Sequence, residues 1–318
     1  MVGKAGPLAV FTAIVIAIVV RAWRHRSEGI WNATPLLPTL RLATSGARQL
    51  VPLESRKRFV VAMADRGLPG QITIGIELLR DLADDDPVGF HQFLWANHLA
   101  YASKYGEERL AVESLEEDRR IMFDMLADEL RSRGVDPAIG VSSVLDAGCS
   151  SGFMLRVVEV TEFPSATELV GIDIDRQAIE MGREHLREVG SRIELIEARM
   201  EDLEQVLDGR RFDISTCCGA LMYLDAERAA LTVAGLLNST DQVVGLMARS
   251  HPLMDNRGLA ASEMRSLDET WIHNVDEMVE AAGGRVVGRQ WTPPAHAQER
   301  GLYIVLAAPQ ASADTEGA

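Results

Sequence analysis

"VLDAGCSSGF", residues 144–153, carries an apolar run into a turn of small residues. The apolar run from Val141 to Leu145 reaches Asp146 and then a turn bearing Gly148, Cys149, Ser150 and Gly152. A short apolar run bounded by turn residues reads as a buried strand. The segment after it, Phe153 to Val160, reads as a helix. Such a strand-to-helix turn can offer free backbone N–H groups and the positive end of a helix dipole to a polar ligand. Its glycines let the backbone approach closely.

The next strand candidate, "VGIDID", ends at Asp173, 21 residues beyond Gly152. In sheets of this kind an acid at that place accepts hydrogen bonds from both hydroxyls of a ribose. The turn and the acid together predict a cofactor that contains a nucleoside. After Gly134 the sequence has the texture of short apolar runs alternating with helix-period segments. The strand candidates are "SVLDAG", "ELVGIDID", "RIELIEA", "FDISTCC", "QVVGLMA", "RVVGRQW" and "LYIVLAA". That pattern predicts an α/β fold, a Rossmann-like, mostly parallel sheet of seven strands with helices on both faces. The helix "VDEMVEAAGG" ends in Gly283 and Gly284, which suits a left-handed C-cap before a new strand.

Residues 27–137 read as a linker followed by a helical cap region. Pro35 and Pro38 mark the linker, and helices are expected over Glu54 to Ala64 and Ile72 to Ala83. Another starts at Asp86 as N-cap with Pro87 in the first turn. A further helix is expected from Ser114 to Arg133, where Ser114 and Glu117 have the spacing of a capping box. His91, Leu94, His98, Tyr101 and Tyr105 recur at offsets of three and four, which would place them on one helix face. That stripe is read either as packing on the sheet domain or as a lid over a pocket.

Residues 1–26 are expected to anchor the chain in a membrane. Ala5 to Val20 carries no charge and is followed by Arg21, Arg24 and Arg26. The run is near the lower length limit for a spanning helix. The competing secretory signal peptide is disfavoured by the arginine flank, which lacks a small-residue cleavage site. The excess of arginine on the C-terminal side predicts a single pass through the cell membrane with the remaining chain in the cytoplasm. The tail, residues 311–318, is polar and expected to be disordered.

From residue 141 to 308 the chain resembles the class I S-adenosylmethionine-dependent methyltransferases. "LDAGCSSG" resembles the acid-x-Gly-x-Gly-x-Gly loop of that family, with Ser150 in place of the middle glycine. "GIDID" resembles its second-strand motif. The resemblance implies that Asp146, Gly148, Cys149, Ser150 and Gly152 line the methionine end of the cofactor, and that Asp173 and Ile174 meet its ribose. "IEARMEDL" falls beside the adenine in such proteins. Arg199 stands where an acid is common there, so either Glu201 or Asp202 takes that role or it is left to backbone groups, with Met200 and Cys218 as further expected cofactor contacts. The implied function is methyl transfer from S-adenosylmethionine to a small-molecule or lipid-linked acceptor. Catalytic candidates are His98, Tyr101 and Tyr223, and His251 follows the fifth strand near the same rim.

Two other classes share part of this pattern. A nicotinamide-dependent dehydrogenase has the glycine turn and the ribose acid, but its G-x-G-x-x-G is absent here. A membrane-tethered module that binds the cofactor without turnover shares every cofactor motif. The formal charge of −15 argues against nucleic acid as a partner, because phosphate repulsion would have to be overcome locally. The three cysteines, Cys149, Cys217 and Cys218, have no metal-ligand spacing and read as packing residues, so no metal is expected.

Overall fold

A computed structural model of the chain describes residues 44–45, 48–64, 75, 77–97, 99, 115–265, 270–293 and 301–309. Two compact units are present, Met1–Ala100 and Tyr101–Ala318. The first holds α1 (Leu53–Ala64), α2 (Arg80–Asp85) and α3 (Pro87–Ala96). Val60, Met63, Leu78, Leu79, Phe90 and Leu94 form its core. Arg56 forks onto Asp81 at 2.6 and 2.5 Å, and this hydrogen-bonded guanidinium holds the Asp81 carboxyl below its ordinary range.

The start of α3 agrees closely with the sequence. Asp86 accepts from the Gly89 N–H at 2.9 Å, and Pro87 occupies the first turn. Its end does not. The stripe expected to continue to Tyr105 stops as helix at Ala96, where Asn97 turns out of helical geometry and its Nδ2 donates to the Phe93 carbonyl at 2.8 Å. His91 lies buried within this unit, edge-on to Phe90 at 5.2 Å between ring centroids. His98, Tyr101 and Tyr105 lie outside the described residues, as do the anchor expected over 1–26 and the tail 311–318. Among the described residues no helix is long and apolar enough to cross a membrane.

The second unit opens with α4 (Glu117–Ser132). Glu116, with extended backbone, takes the N-cap place. Glu117 is thus the first helical residue rather than the third, and Ser114, the other member of the expected capping box, lies outside the described residues. After a single turn, α5 (Pro137–Gly140), all seven expected strands appear. They are β1 (Ser143–Ala147), β2 (Glu168–Asp173), β3 (Glu194–Glu197), β4 (Phe212–Cys218), β5 (Thr240–Arg249), β8 (Gly284–Trp291) and β9 (Leu302–Pro309). Their order across the sheet is β3-β2-β1-β4-β5-β9-β8. The first five run parallel, and β9 and β8 close the edge antiparallel. Between β5 and β8 lies a two-stranded hairpin that the sequence pattern does not announce, β6 (Glu263–Met264) with β7 (Trp271–Ile272).

Successive residues of the central strands enter opposite cores, which is why those strands read as continuous apolar runs. Val144, Ile214, Val243 and Ile304 pack with Met122, Leu126 and Leu130 of α4, Leu155 of α6 (Phe153–Val157) and Ile179 of α7 (Arg176–Glu188). Leu145, Cys217, Val244 and Val305 pack on the other face with Leu203 of α8 (Leu203–Leu207), Val233 and Leu236 of α9 (Ala226–Asn238) and Val279 of α10 (Val275–Ala281). Each fully buried aliphatic side chain contributes about 1.5 to 3 kcal/mol. The sheet is therefore a stiff platform, and the C-terminal ends of β1, β2, β4 and β5 share one edge. As expected, Gly283 takes a left-handed φ of 78° between α10 and β8.

Candidate active site

At that edge Asp146 is only 1% exposed and accepts a hydrogen bond from Thr216 Oγ1 of β4 at 2.8 Å. Burial pushes its carboxyl up to about 7, with Asp173 adding to the rise and the Thr216 hydroxyl and Arg119 guanidinium opposing it. Beyond it the turn is held by left-handed residues, Gly148 at φ 80°, Ser150 at 52° and Gly152 at 79°. Gly148 is required twice over, since a Cβ there would lie 2.5 Å from the Ala220 Cβ. Ser150 tolerates its conformation at a cost of roughly 1 to 3 kcal/mol.

The turn spends most of its backbone donors on the end of β2. The N–H groups of Gly148 and Cys149 both go to the Ile172 carbonyl, at 2.8 and 3.1 Å, and that of Ser150 to Asp173 Oδ2 at 2.7 Å. The Gly152 N–H goes to the Cys149 carbonyl at 2.9 Å. At these four positions the N–H groups expected to be free are already engaged. At residues 148, 149, 150 and 152 the turn contributes a closely approachable surface, and the polar recognition falls to side chains.

Asp173 accepts from the Ser150 and Asp175 N–H groups at 2.7 and 2.8 Å, one on each carboxylate oxygen. Burial raises its carboxyl, and these backbone bonds work against that rise. A carboxylate has about four acceptor positions, so two further hydroxyls can be accommodated. The Ala198 N–H donates to the Asp173 carbonyl at 2.9 Å, which brings the segment after β3 alongside. Ile174 and Met200 are half-buried there. Glu201 lies 3.8 Å from Arg228, and Arg199 points outward as an exposed side chain. This donor and acceptor set fits a nucleoside carrying an ammonium group.

Cys149 and Cys217 are buried, and Cys218 is half-buried with its Sγ 3.6 Å from Met122 Sδ. Burial raises all three thiols, Cys217 to about 12, which leaves them packing groups rather than nucleophiles. A Cβ on Gly171 would come within 2.7 Å of Cys149 Sγ, so the glycine makes room for the thiol. Tyr223 is half-buried on the short turn Leu221–Tyr223 that comes after β4.

Thr216, Arg119 and His273 escaped the sequence reading. Arg119 stands 5.3 Å over the Phe153 ring and pairs with Glu116. Its signal was present, because it occupies the same helical stripe as Met122, Phe123, Leu126 and Leu130 and so is a charge on a core-facing side. His273 is 1% exposed, with Nε2 3.1 Å from the Leu221 carbonyl and Nδ1 2.8 Å from Ser262 Oγ. His251 uses Nδ1 to accept from the Leu253 and Met254 N–H groups, both at 3.1 Å, and its Nε2 lies 3.4 Å from Glu263.

A parallel sheet with an acid closing β1, a left-handed turn and a carboxylate closing β2 defines a nucleoside-cofactor fold. Residues 144–239 match the methyltransferase domain family. Over this stretch the chain is similar to methyltransferases. It is 26% identical over 110 residues to the ubiquinone biosynthesis O-methyltransferase of Dechloromonas aromatica (strain RCB), a match spanning 34% of this chain and 45% of that protein. Among solved structures it is similar to the magnesium protoporphyrin IX methyltransferase of Synechocystis PCC 6803 with bound S-adenosylmethionine. There the TM-score is 0.46 at 16% identity, covering 70% of this chain and 97% of the other. It is also similar to the 1,6-didemethyltoxoflavin-N1-methyltransferase of Burkholderia thailandensis, with a TM-score of 0.48 at 16% identity, covering 68% and 88% of the two chains.

Proposed function

We propose that this chain transfers the methyl group of S-adenosylmethionine to a small-molecule acceptor. The observation that carries the reading is the joined arrangement of Asp146, the 148–152 turn and Asp173 at one sheet edge, inside a methyltransferase domain. Asp146 would hold the amino group of the cofactor and Asp173 its ribose hydroxyls, with Ile174, Met200, Glu201 and Cys218 around the base. When bound, S-adenosylmethionine supplies an electrophilic methyl on a sulfonium that departs as a neutral thioether. The chain then has to orient the acceptor and exclude water, and proximity supplies most of the acceleration. If the acceptor is a hydroxyl, as the name of the Dechloromonas relative suggests, its proton needs a base. Tyr223 is the described candidate, while His98 and Tyr101 enter on the sequence alone.

The uncharged run at residues 5–20 supports a second part of the proposal, a membrane anchor that gives access to lipid-linked acceptors. The test of the core reading is calorimetry with S-adenosylhomocysteine. Binding is expected, and Asp173→Ala should weaken it by about 1.5 to 3 kcal/mol, the range for hydrogen bonds to a charged partner. Binding of NADH in place of S-adenosylhomocysteine would refute it. Cofactor binding with no label passing to any component of a lipid or metabolite extract would leave a binding module.

A further inference from the structure

The edge of the sheet opposite Asp146 and Asp173 gathers arginine. Because β1 to β5 run parallel, the start of β5 lies away from those two acids. Asp241 stands four residues before Gly245, which is in register with Thr216 and through it with Asp146. That is about 13 Å along the strand at the usual rise of ~3.3 Å per residue. β9 runs antiparallel to β5 and β8 antiparallel to β9, so the end of β9 and the beginning of β8 arrive at the same rim. A cleft of about 660 Å³ opens there. Four arginines line it, together with the carboxylates of Asp241 and Glu280. Arg133 comes from the C-cap of α4, Arg211 from just before β4, and Arg285 and Arg289 from β8.

Such a gathering runs against the composition, which has 47 acidic residues against 32 lysines and arginines. Two of the guanidiniums are fixed in place. Arg133 donates from Nε and Nη2 to Glu129 Oε1 at 2.9 and 2.6 Å, and from Nη1 to the Gln242 carbonyl at 2.9 Å. Arg211 donates from Nε to Asp241 at 2.6 Å, from Nη2 to the Thr240 carbonyl at 2.9 Å, and from Nη1 to the Asn238 carbonyl. A guanidinium has five N–H groups, so each of these two keeps a further N–H on both terminal nitrogens. Arg289 is held at Nε by Asp276, which also accepts from the Tyr303 hydroxyl at 2.5 Å. Arg285 is exposed and makes no hydrogen bond or ion pair with the described residues. Glu129 and Asp276 stand outside the lining, so the cleft presents four positive groups against two negative ones. Of those two, Asp241 is paired with Arg211, and Glu280 is exposed.

We infer that this cleft binds a phosphate-bearing molecule, at a site separate from the edge that holds Asp146 and Asp173. Guanidinium forks meet phosphate oxygens two at a time. Arg133 and Arg211 are already oriented, so binding orders little that was free. A carboxylate brings one charge and two oxygens, which would leave most of the four forks idle, whereas a diphosphate brings several of each. The volume lies within the range of small-molecule sites. Soluble phosphorylated metabolites and lipid headgroups both offer this chemistry, and the experiment separates them. Nothing in the site depends on methyl transfer.

The full chain is titrated with inorganic pyrophosphate by calorimetry, and is separately sedimented with phosphatidylcholine vesicles that contain or lack phosphatidic acid. Pyrophosphate is expected to bind more tightly than sulfate, and more weakly as salt is raised. Arg285→Glu should weaken pyrophosphate binding by about tenfold or more, and Glu280→Gln should tighten it. Arg285→Lys should keep only part of the affinity, because an ammonium lacks the fork. Both positions are exposed, so thermal unfolding of these variants should match wild type. Pyrophosphate binding with these effects assigns a soluble ligand. Retention by phosphatidic acid vesicles alone, lost in Arg285→Glu, assigns a headgroup and equally supports the site. Absence of both kinds of binding overturns the inference, as does an affinity that Arg285→Glu leaves unchanged. Pyrophosphate binding no tighter than sulfate would show a general attraction of charge and overturn it too.

Discussion

Asp146 combines deep burial with a hydroxyl as its hydrogen-bonded neighbour, and its carboxyl is pushed up to about 7. In the unfolded chain the same group titrates near 3.9. Between those values the folded protein holds a proton that the unfolded chain releases. The group's contribution to stability is therefore present below about pH 4 and is lost as pH rises through about 7. The difference is on the order of 4 kcal/mol. Asp146→Asn keeps the neutral shape and never ionises. Denaturant unfolding should show it close to wild type near pH 4.5 and more stable than wild type at pH 8. Its affinity for S-adenosylhomocysteine should fall, because an amide offers the ammonium group no charge. Equal stability of the two proteins at pH 8 would mean that burial does not raise the Asp146 carboxyl.

At the scale of elements, the turn packs directly against the middle of α7. Gly182 in the middle of α7 leaves no space for a side chain, since a Cβ there would lie 2.3 Å from the Ser151 carbonyl oxygen and 2.7 Å from Leu195 Cδ1. Backbone cannot swing aside as a side chain can, so the helix or the turn must move. Gly182→Ala should cost on the order of 1 to 3 kcal/mol in stability, as overpacking does, and weaken S-adenosylhomocysteine binding at a distance. Gly190→Ala is a useful contrast, because its added Cβ meets open space and only its φ of 65° is strained. Comparable loss of cofactor affinity in both variants would rule out the packing explanation.

The strands were legible at this scale because burial on both faces leaves no polar alternation to confuse, as in β1 with Val144 and Leu145 in opposite cores. Asp146, Gly148, Gly152 and Asp173 were legible because turn chemistry and strand ends are local. The use of the turn's N–H groups was not, since it depends on the Ile172 carbonyl arriving from the neighbouring strand. The β6–β7 hairpin has two residues per strand, too few for any period to register. The end of α3 was misjudged because offsets of three and four continue past Asn97 in sequence, while the backbone leaves the helix there.

For the whole molecule, the outstanding question is what the first residues of the chain do with so much apolar surface. Ala5 to Val20 spans sixteen residues without a charge, about 24 Å as a helix at ~1.5 Å per residue, short of a hydrocarbon core of about 30 Å. Continuing to Trp23 lengthens the segment, and Arg21 can extend its guanidinium to the interface while an indole sits comfortably at headgroup level. The acidic remainder, within a net charge of −15, would be repelled by an anionic membrane surface. Under the anchor proposal, retention comes from this segment itself rather than from general adhesion. Arginine at the centre of a spanning helix costs roughly 2.5 to 3.5 kcal/mol on insertion scales. Full-length chain carrying Ile14→Arg and Ile16→Arg should therefore leave the membrane pellet after alkaline carbonate washing, where wild type stays, with S-adenosylhomocysteine affinity unchanged. Protease added outside intact cells should spare the wild-type methyltransferase domain, as the arginine flank predicts for a cytoplasmic placement. A mature wild-type protein that begins after residue 23 and is found free of the membrane would show that the segment is a cleaved signal instead.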